Sequence, residues 1–200
     1  MNIRTLTVFE RDAVRDFYLS LSADDRRKRF CSALTDVSIS NYVCGLDFER
    51  HTILGAFGES RELVGLAELA LGAKEGELAF SVRPDQRSQG LGTKLMERIL
   101  QRARMGGIRR VVVMFLSDNT PMRKLATRTG MLVKADGAET YASLELVVPS
   151  TAEFNRWFIE EAIAHSEYFS FLGTERRDSL VNHSNSTVSR HRRPADSLTV

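Results

Sequence analysis

Val82-Arg83-Pro84-Asp85-Gln86-Arg87-Ser88-Gln89-Gly90-Leu91-Gly92-Thr93-Lys94-Leu95-Met96 carries the chain out of an apolar strand, through a turn and into a helix that opens on two glycines. Upstream, Glu77-Leu78-Ala79-Phe80-Ser81-Val82 alternates with a period of two, and Pro84 ends the hydrogen-bonded run because it has no N–H to donate. Downstream, Leu91, Leu95, Ile99 and Ala103, flanked by Met96 and Leu100, make an apolar stripe opposite Lys94, Glu97, Arg98, Gln101 and Arg102. A helix therefore begins near Gly90. Its first N–H groups have no intrahelical partners, and the macrodipole adds about half a positive charge there, so the turn is built to hold an anion. Gly90 and Gly92 let a phosphate reach the backbone, and Arg83, Arg87 and Lys94 add positive charge. The plainer alternative is a helix that simply starts after a loop.

Two familiar phosphate motifs do not fit. A dinucleotide fingerprint needs a small residue where Leu95 stands, and a Walker A loop needs a different order from Gly92-Thr93-Lys94. Arg87-Ser88-Gln89-Gly90-Leu91-Gly92 instead resembles the acyl-CoA-binding motif of the GNAT N-acetyltransferase superfamily, Arg/Gln-x-x-Gly-x-Gly/Ala. That family's downstream pattern follows: Gly106-Gly107-Ile108, the strand Val111 to Leu116, then Asn119, Met122, Leu125 and Gly130-Met131. The resemblance is best from Glu62 to Val148, and the run from Glu77 to Gly130 looks most like bacterial protein lysine acetyltransferase domains.

The resemblance implies an α/β (α+β) fold: a mixed, mainly antiparallel sheet of about seven strands flanked by helices, with a splay between strands four and five. It implies acetyl-CoA as co-substrate and a primary amine as acceptor, on a small molecule or a protein; the cysteine pattern below predicts no metal. Val82, Arg83, Arg87, Ser88, Gln89, Gly90, Leu91, Gly92, Thr93 and Asn119 are the expected donor-binding residues. Backbone groups near Val82 and Arg83 would bond the pantetheine arm, and an N–H near Val82 would meet the thioester oxygen. Glu77, in the fourth strand where several members place a general base, is the candidate catalytic residue. A solvated turn glutamate is the alternative reading, and Glu68 is the reserve. Many members carry a tyrosine as general acid four residues before the closing glycine, where this chain has Ala126. A coenzyme thiol with a pKa of about 8.5 can leave as thiolate without one. Met131 replaces the usual phenylalanine.

The other segments read from their patterns. Ile3, Leu6 and Val8 predict a strand and Asp12 to Ser20 a helix. Ser22 caps a second helix carrying Arg26-Arg27-Lys28-Arg29, either a substrate-facing patch or a solvated face. Ser38 to Glu49 reads as a short helix and a loop. His51 to Phe57 and Glu62 to Leu71 are strands, Thr120-Pro121 starts a helix with Thr120 as candidate cap, and Met131 to Val133 and Tyr141 to Val148 are strands. The organisation expected is an acyltransferase domain over 1–150, a helix over 151–172 packed on it or at an interface, and a disordered polar tail over 173–200.

A 200-residue chain with 42% hydrophobic and 27% charged residues is ordinary for a globular protein. Its net charge of +2 lacks the basic excess of a nucleic-acid binder. Cys31 and Cys44 form no metal-ligand pattern, no apolar run approaches a membrane span, and Met1 to Phe9 lacks a signal-peptide core. A cytoplasmic monomer or homodimer is expected. A non-catalytic acyl-CoA sensor is the alternative function.

Overall fold

The computed structural model describes residues 2–72, 75–159 and 162. Residues 1–149 and 150–200 are two separate compact units. In the first, the strands are β1 (Asn2–Thr5), β2 (His51–Phe57), β3 (Leu63–Leu71), β4 (Gly76–Val82), β5 (Arg110–Leu116), β6 (Leu132–Asp136) and β7 (Glu139–Glu145). The helices are α1 (Arg11–Ser20), α2 (Ala23–Phe30), α3 (Asp36–Cys44), α4 (Leu91–Met105) and α5 (Thr120–Arg128). In the second unit residues 151–159 are helical. What the 151–172 helix packs on, and the polar tail, lie outside the described residues.

The strands form one sheet in the order β1-β2-β3-β4-β5-β7-β6. Every neighbouring pair is antiparallel except β4 and β5, which run parallel and share register only at Gly76↔Val111 and Glu77↔Val112. Beyond Glu77 the two strands part. The expected mixed sheet with its splay is therefore present, and each face has its own core because side chains alternate across a strand.

On one face α4 buries Leu91, Leu95, Met96, Ile99 and Ala103 with Leu78, Val111, Val113 and Phe115, and α5 adds Met122 and Ala126. Each large aliphatic side chain in that stripe contributes about 1.5–3 kcal/mol relative to exposure. On the other face Val14, Phe17 and Tyr18 of α1 and Ile39 and Val43 of α3 pack on Ile53 and Leu66. Helices thus flank the sheet on both sides.

Three local expectations change. The first strand ends at Thr5, and Val8–Glu10 is a 3-10 turn whose Glu10 carboxylate accepts from the Thr7 N–H at 2.9 Å. Asn119, not Thr120, caps α5: its Oδ1 accepts from the Met122 N–H at 3.2 Å, leaving Thr120 and Pro121 in the first turn. The basic run of α2 is held by partners rather than left free, and Lys28 and Arg29 also line the cleft described below. Arg26 donates to the Leu21 carbonyl at 3.0 Å, Arg27 pairs with Asp118 at 2.6 Å, Lys28 with Asp24 at 2.5 Å, and Arg29 with Glu68 at 2.9 Å. Among the described residues no helix is long and apolar enough to cross a membrane.

Candidate active site

The cradle begins where β4 ends. Arg83 donates its N–H to the Val64 carbonyl of β3 at 2.9 Å, and its own carbonyl accepts from Gln86 at 3.0 Å. In an antiparallel ladder bonding alternates, so the backbone groups of Phe80 and Val82 turn the other way, into the gap left by β5. The available N–H near the end of the strand is thus that of Val82, with Phe80 behind it.

After the turn at Pro84–Gln86, the chain enters left-handed backbone at Ser88 (φ 63°) and again at Gly90 (φ 79°), and α4 starts at Leu91. The first α4 bond across this start runs from the Lys94 N–H to the Gly90 carbonyl at 3.1 Å. The N–H groups of Leu91, Gly92 and Thr93 precede it and face outward along the helix axis. A Cβ on Gly90 would meet nothing within 4 Å, and one on Gly92 would meet only Leu125 Cδ2 at 3.7 Å. No neighbouring side chain closes off these two glycines, so an anion can approach the N–H groups.

A cleft of about 450 Å³ runs from this cradle into the splay. Its lining brings together Val82, Arg87, Ser88, Gly90, Leu91, Gly92, Thr93 and Asn119 of the expected donor site, with Phe80 and Ser81. Arg83 and Gln89 stand outside the lining: the Arg83 guanidinium is paired with Asp85 at 2.9 Å, and Gln89 donates to the Asp85 carbonyl at 3.3 Å. Arg87 folds back on the loop, donating through Nε to the Val82 carbonyl at 3.0 Å and pairing with Asp25 at 2.6 Å. Sequence reasoning missed Asp25 of α2 and Lys124 and Arg128 of α5, which also line the cleft, and left Lys28 and Arg29, which line it too, open between a substrate-facing patch and a solvated face. The spacing of Lys124, Leu125 and Arg128 places them on one side of a helix, but only the fold shows that this side faces α4's start.

The two candidate bases lie on one face of the sheet, because Ala70↔Glu77 and Glu68↔Ala79 are cross-strand pairs. Their surroundings differ. Glu77 is exposed and is the last β4 residue paired with β5 before the splay. It lies three residues, about 10 Å, from Phe80 at the depth of the cleft. Glu68 is 3% exposed, accepts from the hydroxyls of Tyr18 and Tyr42, and pairs with Arg29. Burial pushes its pKa up, but the Arg29 charge and the two phenols outweigh this and hold it below the ordinary carboxylate value. Arg29 in turn lies over the rings of Tyr18, Phe30 and Tyr42 at 5.4, 4.7 and 5.6 Å. Glu68 is a fully engaged structural anion. Tyr18 cannot replace the missing acid either, being fully buried with its pKa raised first by that burial.

The strand-turn-helix cradle at the splay coincides with a match to the acetyltransferase (GNAT) family model over residues 12–131. The chain belongs to the GNAT family. It is an acyl-CoA-dependent N-acyltransferase. An acetyltransferase of Pseudomonas aeruginosa is 28% identical over 142 residues, covering 67% of this chain and 76% of that protein. Among solved structures, the GNAT domain of the S. lividans PAT superposes with a TM-score of 0.62 at 24% identity, over 72% of this chain and 89% of that one. The spermidine N-acetyltransferase of Vibrio cholerae, in complex with CoA and spermine, shares the fold at a TM-score of 0.58 and 12% identity, over 72% and 94% of the chains. The cradle, the splay and the Ala126 substitution are thus features of one GNAT domain. Ala126 is wholly buried in the α4–α5 core, so no side chain at that position of this chain reaches the cleft.

Proposed function

We infer that this GNAT protein moves the acetyl group of acetyl-CoA to a primary amine by direct attack in a ternary complex, with a protein lysine as the acceptor to test first. The observation that carries the reading is the placement of Glu77 at the point where β4 and β5 part, on the strand whose Phe80 and Val82 backbone groups face the gap.

Acetyl-CoA supplies the acyl group as a thioester whose thiol, with a pKa of about 8.5, leaves as thiolate at modest cost near neutral pH. The N–H groups of Leu91, Gly92 and Thr93 hold its pyrophosphate, with the α4 dipole behind them. Lys28, Lys124 and Arg128 add positive charge along the cleft. Val82 directs an N–H toward the carbonyl oxygen, where negative charge grows as the amine nitrogen bonds to the acyl carbon. At neutral pH only about one lysine in two thousand is unprotonated, so Glu77 serves by taking the amine proton, directly or through a water. The carbon–sulfur bond then breaks, and the amide and free coenzyme leave.

The test is Glu77→Gln. Acetyl-CoA affinity by calorimetry should be unchanged, since the cradle is untouched, while turnover at neutral pH falls roughly a hundredfold or more. The variant should recover part of its rate at high pH, where more amine is neutral. A Glu77→Gln enzyme as fast as wild type would remove the base assignment. Tight binding of acetyl-CoA without thiol release to any amine would make the protein a sensor.

A further inference from the structure

The backbone register lays out the sheet around Glu77 row by row. Glu77 is level with Val112, Ser143 and Leu132 on β5, β7 and β6. The next row on the same face is Met114, Tyr141 and Lys134, and the third is Leu116, Glu139 and Asp136. Cross-strand partners point the same way, so these rows form one continuous surface with the candidate base at its edge. The intervening residues Val111, Val113, Phe115 and Ala142 point the opposite way, into the core beneath α4 and α5.

Large apolar side chains stand open on this surface among its charged ones, beside the Cys31 end of α2. Met114 is 37% exposed, Tyr141 45% and Leu132 62%, each on a different strand. From β4 to β6 it spans three strand spacings, about 14 Å. Small amines are held in concave sites that bury most of their surface. A broad pleated face with half-exposed large side chains suits a macromolecular segment laid across it, with aromatic and methionine side chains as its contacts. The charge on the face selects the kind of segment. Glu77, Asp136 and Glu139 set three carboxylates against the one ammonium of Lys134, while Arg110 and Glu145 pair with each other at 3.5 Å. Tyr141 donates its hydroxyl to Glu139 at 2.9 Å, fixing that carboxylate beside the apolar strip.

We propose that the open β5–β7–β6 face is the docking surface for the acceptor, and that the acceptor is a lysine on a basic segment of another protein, its amine ending at Glu77. This rests on the reading of Glu77 as the base. It adds what lies around that amine: an aliphatic or aromatic contact on Met114 and Tyr141, and flanking basic side chains on Glu139 and Asp136.

The test separates docking from chemistry. A fluorescent peptide with one lysine flanked by arginines, and its twin flanked by aspartates, are titrated by anisotropy against the full chain saturated with CoA. The arginine-flanked peptide should bind at least about tenfold more tightly. Tyr141→Ala and Met114→Ala should each weaken it several-fold to about tenfold, and Glu139→Lys should erase the charge preference. Acetyl-CoA affinity and circular dichroism should stay as in wild type. Peptide affinity that is unchanged in all three variants, or no binding by wild type, overturns the docking face. So does acetylation of spermidine with neither peptide modified, which would point to a small polyamine acceptor. Peptide binding that depends on Tyr141 while Glu77→Gln turns over normally would sink the base assignment and leave the docking face standing.

Discussion

Arg87 of the glycine loop pairs with Asp25 of α2 at 2.6 Å, so the donor cradle is tied to a helix 62 residues away in the chain. Asp25 is well covered, with its side chain 10% exposed, and also accepts from the Ser22 hydroxyl at 2.8 Å, whereas Arg87 is 41% exposed. A half-screened pair of this kind should couple the two residues by about 0.5–1 kcal/mol. A double-mutant cycle of Arg87→Ala and Asp25→Asn, followed by thermal unfolding, measures it. Additive effects of the two substitutions would mean that the tie contributes nothing.

Gly92 and Gly90 should respond differently to alanine. Gly92 lies inside α4 with ordinary van der Waals room for a Cβ, so Gly92→Ala should leave stability unchanged or raise it by about 0.5 kcal/mol. Gly90 sits at φ 79°, where an L side chain costs about 1–2 kcal/mol. If the cradle holds the phosphate as proposed, either methyl group stands in its path, and calorimetry should show weaker acetyl-CoA binding in each. Undiminished affinity in a folded Gly92→Ala protein would place the anion elsewhere.

Removing the Glu68 charge should be expensive. Glu68→Gln leaves Arg29 buried without its counter-ion, a loss of about 3–5 kcal/mol. Because the folded pKa of Glu68 is lowered, its contribution is complete above the unfolded value near 4.3 and disappears as pH falls through the folded value. The stability gap between wild type and Glu68→Gln, read from denaturant unfolding, should therefore be constant near neutrality and close in acid. A gap that widened as pH fell would contradict the assignment.

Asn119 can be separated as a cap from Asn119 as a ligand contact. Asn119→Ala should cost about 1 kcal/mol by exposing the start of α5, while Asn119→Asp keeps a cap of equal strength. Equal unfolding temperatures for wild type and the alanine variant would show that the cap is idle.

Local order fixed much of this molecule before any tertiary contact was known. Proline's missing donor, the period-two run from Glu77 and the apolar stripe from Leu91 to Ala103 are properties of neighbouring residues, and strand, turn and α4 fall where they predict. The left-handed Gly90 follows from the same local chemistry. Asn119 and Thr120 are adjacent and both can cap; the stronger cap former, Asn119, is the one that backbone geometry leaves outside the helix. Tertiary structure alone decided the fate of charges. Arg26 to Arg29 look alike in sequence, yet one is buried against Glu68 and another tied to Asp118, because burial and ion pairing depend on residues tens of positions away. The two glutamates differ for the same reason. Glu68 lies under α1, α2 and α3, which surround it with two phenols and a guanidinium. Glu77, on the same face two residues along the neighbouring strand, is exposed at the point where the sheet opens, beside the Cys31 end of α2 and outside that cluster.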